Sequence, residues 1–192
     1  MLLWQRSVRH DARNRNRGFT LVELMGVVAI VAILATLAVF GVSKYIQSSK
    51  ASEAIQMLGA MKAAQEQYRA ETFAYLDVSG SHALTGYYPT ATPSRKAWGW
   101  GDTSTVQGKA WQTLGVTADA PVRFAYACAA GDGSNSIPAP GVSTTVANWP
   151  TSSGGVPWYV VRAIGDLDED GLQSVYVSSS FTGQIIADHE GE

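Results

Sequence analysis

The sequence predicts an α+β fold in which one long N-terminal helix, half membrane-spanning and half amphipathic, packs on an antiparallel sheet of about four strands. Three observations predict it. An apolar run fills residues 19–42 with Glu23 as its only ionisable residue. No proline occurs between Phe19 and Gly86, so nothing forbids helical continuation past that run. Beyond residue 121, short β-patterned segments alternate with turn-rich stretches. At 192 residues the chain suits one compact domain besides the apolar segment.

Five arginines (Arg6, Arg9, Arg13, Arg15 and Arg17) precede the apolar run, against one acid, Asp11. Of 14 Lys+Arg and 16 Asp+Glu in the chain, the remainder after residue 18 keeps 9 and 15, a net charge near −6. That acidity argues against a nucleic-acid platform, which needs clustered Lys and Arg. The run of residues 19–42 would reach about 36 Å as a helix, enough to cross a hydrocarbon core of about 30 Å. It is longer than the apolar core of a secretory signal peptide. A plain signal anchor accounts for its length, and the arginines place the N-terminus in the cytoplasm. Neither accounts for Glu23. A carboxylate within a membrane span costs about 2–3 kcal/mol, reduced near the end, and gains about 0.3–1 kcal/mol from the first turn of a helix.

The string Gly18-Phe19-Thr20-Leu21-Val22-Glu23-Leu24-Met25 after a basic leader resembles the processing signal of type IV pilins and type II secretion pseudopilins. The similarity extends through Ala51-Ser52-Glu53-Ala54 and covers residues 17–70. It implies a pilin fold, cleavage after Gly18 by a prepilin peptidase, N-methylation of the new terminus Phe19, and an assembly role for Glu23. It further implies residence in the inner membrane as a single pass, then homopolymerisation through the N-terminal helix by the pilus or secretion machinery. The product would be an extracellular pilus, serving such ends as adhesion or twitching motility, or a periplasmic pseudopilus. The chemistry agrees: cleavage creates an ammonium on Phe19, and opposite charges attract strongly where water is scarce. Glu23 of one copy would pair with the Phe19 amine of a neighbour; four residues apart on one helical face, the two could also pair internally. The glycine and proline that many pilins carry in this helix are Ala32 and Phe40 here, so a proline-dependent kink has no residue to carry it.

The implied organisation is a leader at 1–18, a transmembrane and assembly helix at 19–42, an amphipathic helix half at 43–76, a connecting region at 77–121 and a sheet at 122–192. Ile55, Leu58, Met61, Gln65, Tyr68, Thr72 and Phe73 follow helical spacing, which predicts the core-facing stripe and a helix to about residue 74. Residues 77–121 read as irregular because Gly and Pro recur. Their aromatics, Tyr87, Tyr88, Trp98, Trp100 and Trp111, are expected to tie the connection down by packing, with an exposed Trp98–Trp100 patch as the alternative. Val122, Phe124, Tyr126 and Cys128 alternate with Arg123, Ala125 and Ala127, predicting a half-buried strand. Residues 131–157 read as a long surface loop with Trp149 as an anchor. Strands are expected at 158–164, 172–178 and 184–187.

Between two of these strands, Asp166, Asp168 and Asp170 alternate before Gly171. Alternating carboxylates at a sharp turn suit a hard cation, and calcium is the candidate. The twelfth position counted from Asp166 is Val177 rather than a bidentate glutamate, so this is no EF-hand, and further oxygens would come from carbonyls or Asp188. A solvated hairpin turn explains the same residues without a metal. Calcium known for major pseudopilins is what the resemblance adds. The single Cys128 excludes an intrachain disulfide and reads as a core residue. No cofactor is required on this reading. His10, His82 and His189 stand in no nucleophile or zinc motif, so an enzyme is not expected. The leading reading is a type IV pilus subunit. The alternatives are a type II secretion pseudopilin and a non-polymerising membrane-anchored binding module.

Overall fold

The computed structural model describes residues 18–143, 146 and 148–190. The expected leader, apart from Gly18, lies outside them. The elements run α1 (Leu21–Thr72), α2 (Val106–Leu114), β1 (Ala125–Gly131), β2 (Trp158–Gly165), β3 (Ser174–Ser179) and β4 (Thr182–Asp188). Two compact units emerge, Met1–Val42 and Ser43–Glu192.

Within the first unit, Leu21–Val42 is a fully exposed helical stretch of 22 residues with mean hydropathy 2.7, long and apolar enough to cross a membrane. Thr36 returns its hydroxyl to the carbonyls of Ala32 and Ile33 at 2.8 and 2.9 Å, so this polar side chain costs the helix no unpaired group.

The second unit is built on an antiparallel sheet in the order β1-β2-β3-β4. Strand periodicity divides its side chains between two faces. Tyr126, Cys128, Ala130, Tyr159, Val161, Ala163 and Tyr176 form one core with Ala51, Ala54, Leu58 and Met61 of α1. Gln65 is buried in the same stripe because its amide serves both backbone groups of Leu76: Nε2 donates to Leu76 O at 2.8 Å, and Oε1 accepts from Leu76 N at 3.0 Å. The stripe expected from the sequence is correct at Leu58, Met61 and Gln65. It fails at Ile55, Thr72 and Phe73, which are exposed. Ala51 and Ala54 take the core side instead, since small side chains let the helix approach the sheet. Phe73 adopts φ 62 and closes the helix, its amide donating to Arg69 O at 2.8 Å.

β1 is buried along its whole length rather than on one face. The opposite face carries Ala127, Ala129, Trp158, Val160 and Val177, covered by Leu84 and Ile137, with Trp149 and Val142 packed alongside. The loop expected at the surface therefore supplies the lid of a second core. Its closeness is visible at Gly131, where an added Cβ would lie 2.8 Å from the Trp158 indole. The strand also starts later than expected. Arg123 N donates to Glu53 Oε1 of α1 at 2.7 Å, which removes that amide from any ladder. Val122 instead makes an isolated bridge with Trp98.

The connection at 77–121 is not wholly irregular, since it contains α2. Thr105 caps that helix by accepting from Gly108 N at 3.0 Å, and Gly115 ends it at φ 76. Trp111 and Leu114, three residues apart, bury one side of it. The aromatics pack inward: Trp100 meets Tyr88 at 4.9 Å, Trp111 at 5.7 Å and Tyr126 at 5.8 Å between ring centroids. Its indole donates to Val116 O at 3.0 Å. Trp98 is half-buried beneath the Lys96 ammonium, 4.5 Å from the ring centroid. An exposed two-tryptophan patch is therefore not formed.

Candidate functional site

Thr20 and Glu23 organise the start of α1. Thr20 N and Oγ1 both donate to Glu23 Oε2 at 3.2 Å, and Glu23 N donates to Thr20 Oγ1 at 3.2 Å. This is a reciprocal capping box, in which the two side chains satisfy amides that the first helical turn leaves without carbonyls. The Thr-x-x-Glu spacing announces it in the sequence. Such caps stabilise a helix by about 1 kcal/mol. Glu23 therefore has a local partner within its own chain, and the capping box uses only its Oε2.

Phe19 and Gly18 precede the helix and are exposed. A Cβ added at Gly18 meets nothing within 4 Å, so the fold places no steric demand for glycine there. Phe19 and Glu23 lie in the same short stretch at the head of a segment whose other side chains are all uncharged. Chemically, an amine made at Phe19 and the carboxylate of Glu23 are the one opposite-charge pair available to residues 19–42.

The second candidate lies between β2 and β3. Carboxylate oxygens of Asp166, Asp168 and Asp170 come within 4.8 Å of one another. Turn formation uses part of them: Asp166 Oδ1 accepts from Glu169 N at 2.8 Å and Asp170 Oδ1 from Leu172 N at 2.7 Å. Asp168 Oδ1 accepts from Asp170 N at 3.4 Å. Each aspartate keeps a second oxygen, so the donor set fits a hard cation that completes its shell with water or carbonyls. Two expected helpers are engaged elsewhere. Leu167 O accepts from Arg95 Nε at 3.3 Å, and Arg95 N donates to Glu169 Oε1 at 3.3 Å. Asp188 holds Ser143, accepting from its hydroxyl at 2.8 Å and also from its amide. These hydrogen bonds keep the Asp188 carboxyl below the usual range. Val177, at the twelfth position, is a buried residue of β3.

Among the described residues, no reactive constellation accompanies these sites. Cys128 is fully buried and receives Gln65 Nε2 at 3.0 Å, and burial pushes its thiol up to about 12, far from thiolate chemistry. Asp77 lies between Ser79 and His82, accepting from Ser79 Oγ at 2.6 Å and from His82 N at 2.9 Å. His82 Nδ1 is directed to Ala130 O at 2.6 Å, so Ser79 has no imidazole base.

A family model described as the prokaryotic N-terminal methylation motif matches residues 13–39. No curated protein matches the chain. The matched residues contain the Gly18-Phe19 junction, the Thr20–Glu23 cap and most of the apolar helix, and the match ends before the second unit begins at Ser43. The motif implies processing by a prepilin peptidase and assembly into a pilus or secretion apparatus. The chain thus carries the prepilin-type N-terminal methylation motif of the type IV pilins and pseudopilins.

Proposed function

We propose that this chain is the structural subunit of a type IV pilus, cleaved after Gly18, methylated on Phe19, and polymerised through its N-terminal helix. The observation that carries this reading is Glu23, the only ionisable residue of 19–42, set at the helix start four residues from the new terminus. Before assembly the capping box partners the carboxylate with Thr20, which lowers the cost of holding it near a membrane face. On entry into a bundle of helices, the Phe19 amine of a neighbouring copy adds the ionic partner that Thr20 cannot supply. The exposed apolar helix is then covered by its own kind rather than by lipid. The arginines before Gly18 would orient the uncleaved chain with its N-terminus inside. Imaging of surface filaments, with mass identification of their main protein and of its methylated Phe19 terminus, tests the proposal. Filaments lacking this chain, or a chain retaining residues 1–18 within them, would refute it.

The second reading is a type II secretion pseudopilin. The convergence of Asp166, Asp168 and Asp170 favours it, together with the lack of a second cysteine for a disulfide. In that reading a calcium ion held by the three carboxylates stabilises the β2–β3 connection. Secretion of folded proteins that fails on deletion of the chain, with surface filaments unchanged, would select it over the first.

A further inference from the structure

The second unit holds a cavity of about 300 Å³ that assembly through residues 19–42 does not use. Arg69 lines it from the last turn of α1 and Tyr75 from just beyond that helix, Pro150, Val156 and Pro157 from the approach to β2, and Phe181 from the turn between β3 and β4. The cation in this wall is held in place. Arg69 Nη1 donates to the Tyr75 hydroxyl at 2.8 Å, and that hydroxyl donates to Glu66 Oε1 at 3.0 Å. The guanidinium carbon lies 4.9 Å from the Tyr75 ring centroid. A guanidinium has five donors, and among the described residues Arg69 has no ion-pair partner within 4.0 Å. Its position in the last turn suits the helix dipole, but that benefit needs no cavity.

The same lining includes apolar side chains. Val156 is 56% exposed and Phe181 39%. Phe181 is fixed by an edge contact with Trp149 at 5.4 Å between centroids. Ser152, Ser153 and Ser180 add hydroxyls at the margin. The combination is an oriented planar cation beside apolar side chains, in a volume at the low end of the range that holds small ligands, about 300–1,000 Å³.

We propose that this cavity binds a small carboxylic acid with an apolar or aromatic body. The carboxylate takes the free edge of the Arg69 guanidinium, whose fork matches two oxygens in one plane. The body rests on Phe181, Val156 and the two prolines. Binding here is independent of filament formation and of the acidic connection.

Phenylacetate is the probe, with phenylacetamide as its uncharged isostere, titrated into the full chain in detergent micelles. Tryptophan fluorescence is the readout, because Trp158 lines the cavity and Trp149 touches Phe181. Saturable binding of the acid is expected, with affinity reduced at least about tenfold for the amide and for Arg69→Gln. Val156→Asp sets a like charge at the exposed rim without touching the core and is expected to weaken the acid similarly, so it decides the matter if Arg69→Gln does not fold. Equal affinity for acid and amide, wild-type affinity in the variants that fold, or no saturable change at all would overturn the proposal.

Discussion

The two units of this chain make opposite use of apolar residues. In Leu21–Val42 they are all exposed among the described residues. In Ser43–Glu192 two clusters of them are buried on the two faces of one sheet. The first unit is simple in composition yet contains most of the match to the prokaryotic N-terminal methylation motif. The second is elaborately packed, and the family match does not reach it. The difference teaches that local chemistry can mark a processing and assembly signal without a fold, whereas a fold can be specified in full without declaring its purpose.

The sharpest way to break this comparison is at Glu23. Glu23→Ala is expected to leave peptidase cleavage intact, as read by mass of the N-terminus, and to abolish filaments. Glu23→Gln separates its two roles, because an amide oxygen still completes the capping box while the charge is lost. Loss of filaments in both variants assigns assembly to the charge. Normal filaments in Glu23→Gln would assign it to the cap and reject the ionic pairing.

A core substitution should act on the second unit alone. Leu58→Ala removes a fully buried side chain from the helix–sheet core and is expected to cost about 2–5 kcal/mol, measured by thermal melting of the full chain in detergent. Cleavage between Gly18 and Phe19 should be unaffected in that variant. A processing defect in a chain that remains folded would show that the units are not separable in function.

Calcium should give a smaller effect, again confined to the second unit. If the three aspartates hold the ion, melting rises with calcium and falls with chelator, by about 2.7 kcal/mol at a hundredfold excess over the dissociation constant. Asp168→Asn, at an exposed member of the set, should erase most of the difference. A melt that responds to neither calcium nor chelator leaves the hairpin-turn explanation in possession.

The smallest effect is expected at Asp188. Its carboxyl is held below the ordinary value by Ser143, so the ionised form contributes stability above the unfolded value of about 3.9. That contribution is lost as pH falls through the lowered folded value. Asp188→Asn should therefore melt below wild type at pH 7, with the gap closing below about pH 4. A gap of constant size across that range would mean that packing, not charge, holds Ser143.

Much of the second unit's layout is legible in the sequence, and the exceptions have physical causes. The β2, β3 and β4 segments stand out as short apolar runs between turn residues. The start of β1 is misplaced by pattern alone because Glu53, 70 residues away, takes the Arg123 amide. The second core escapes notice because alanines such as Ala127 and Ala129 look like a solvent face until Trp158, Ile137 and Leu84 cover them. The helix α2 is legible in principle, through Thr105, Gly115 and the Trp111–Leu114 pair, but recurrent glycines mask a nine-residue element. For the acidic connection, spacing alone suggests convergence of the three aspartates; that Arg95 and Ser143 occupy the expected helpers requires the folded chain.

The sequence by itself determined the N-terminal motif: Thr20 and Glu23 act through bonds within a few residues, and a capping box needs nothing distant. It also determined the helix and strand periodicities, which are properties of neighbouring positions. Tertiary structure alone decided which sides of those elements became interior, how the connection's tryptophans were spent, and where Arg69 meets Phe181 across a cavity. Those outcomes join residues far apart in the chain, and only the closure of the fold brings their side chains within reach.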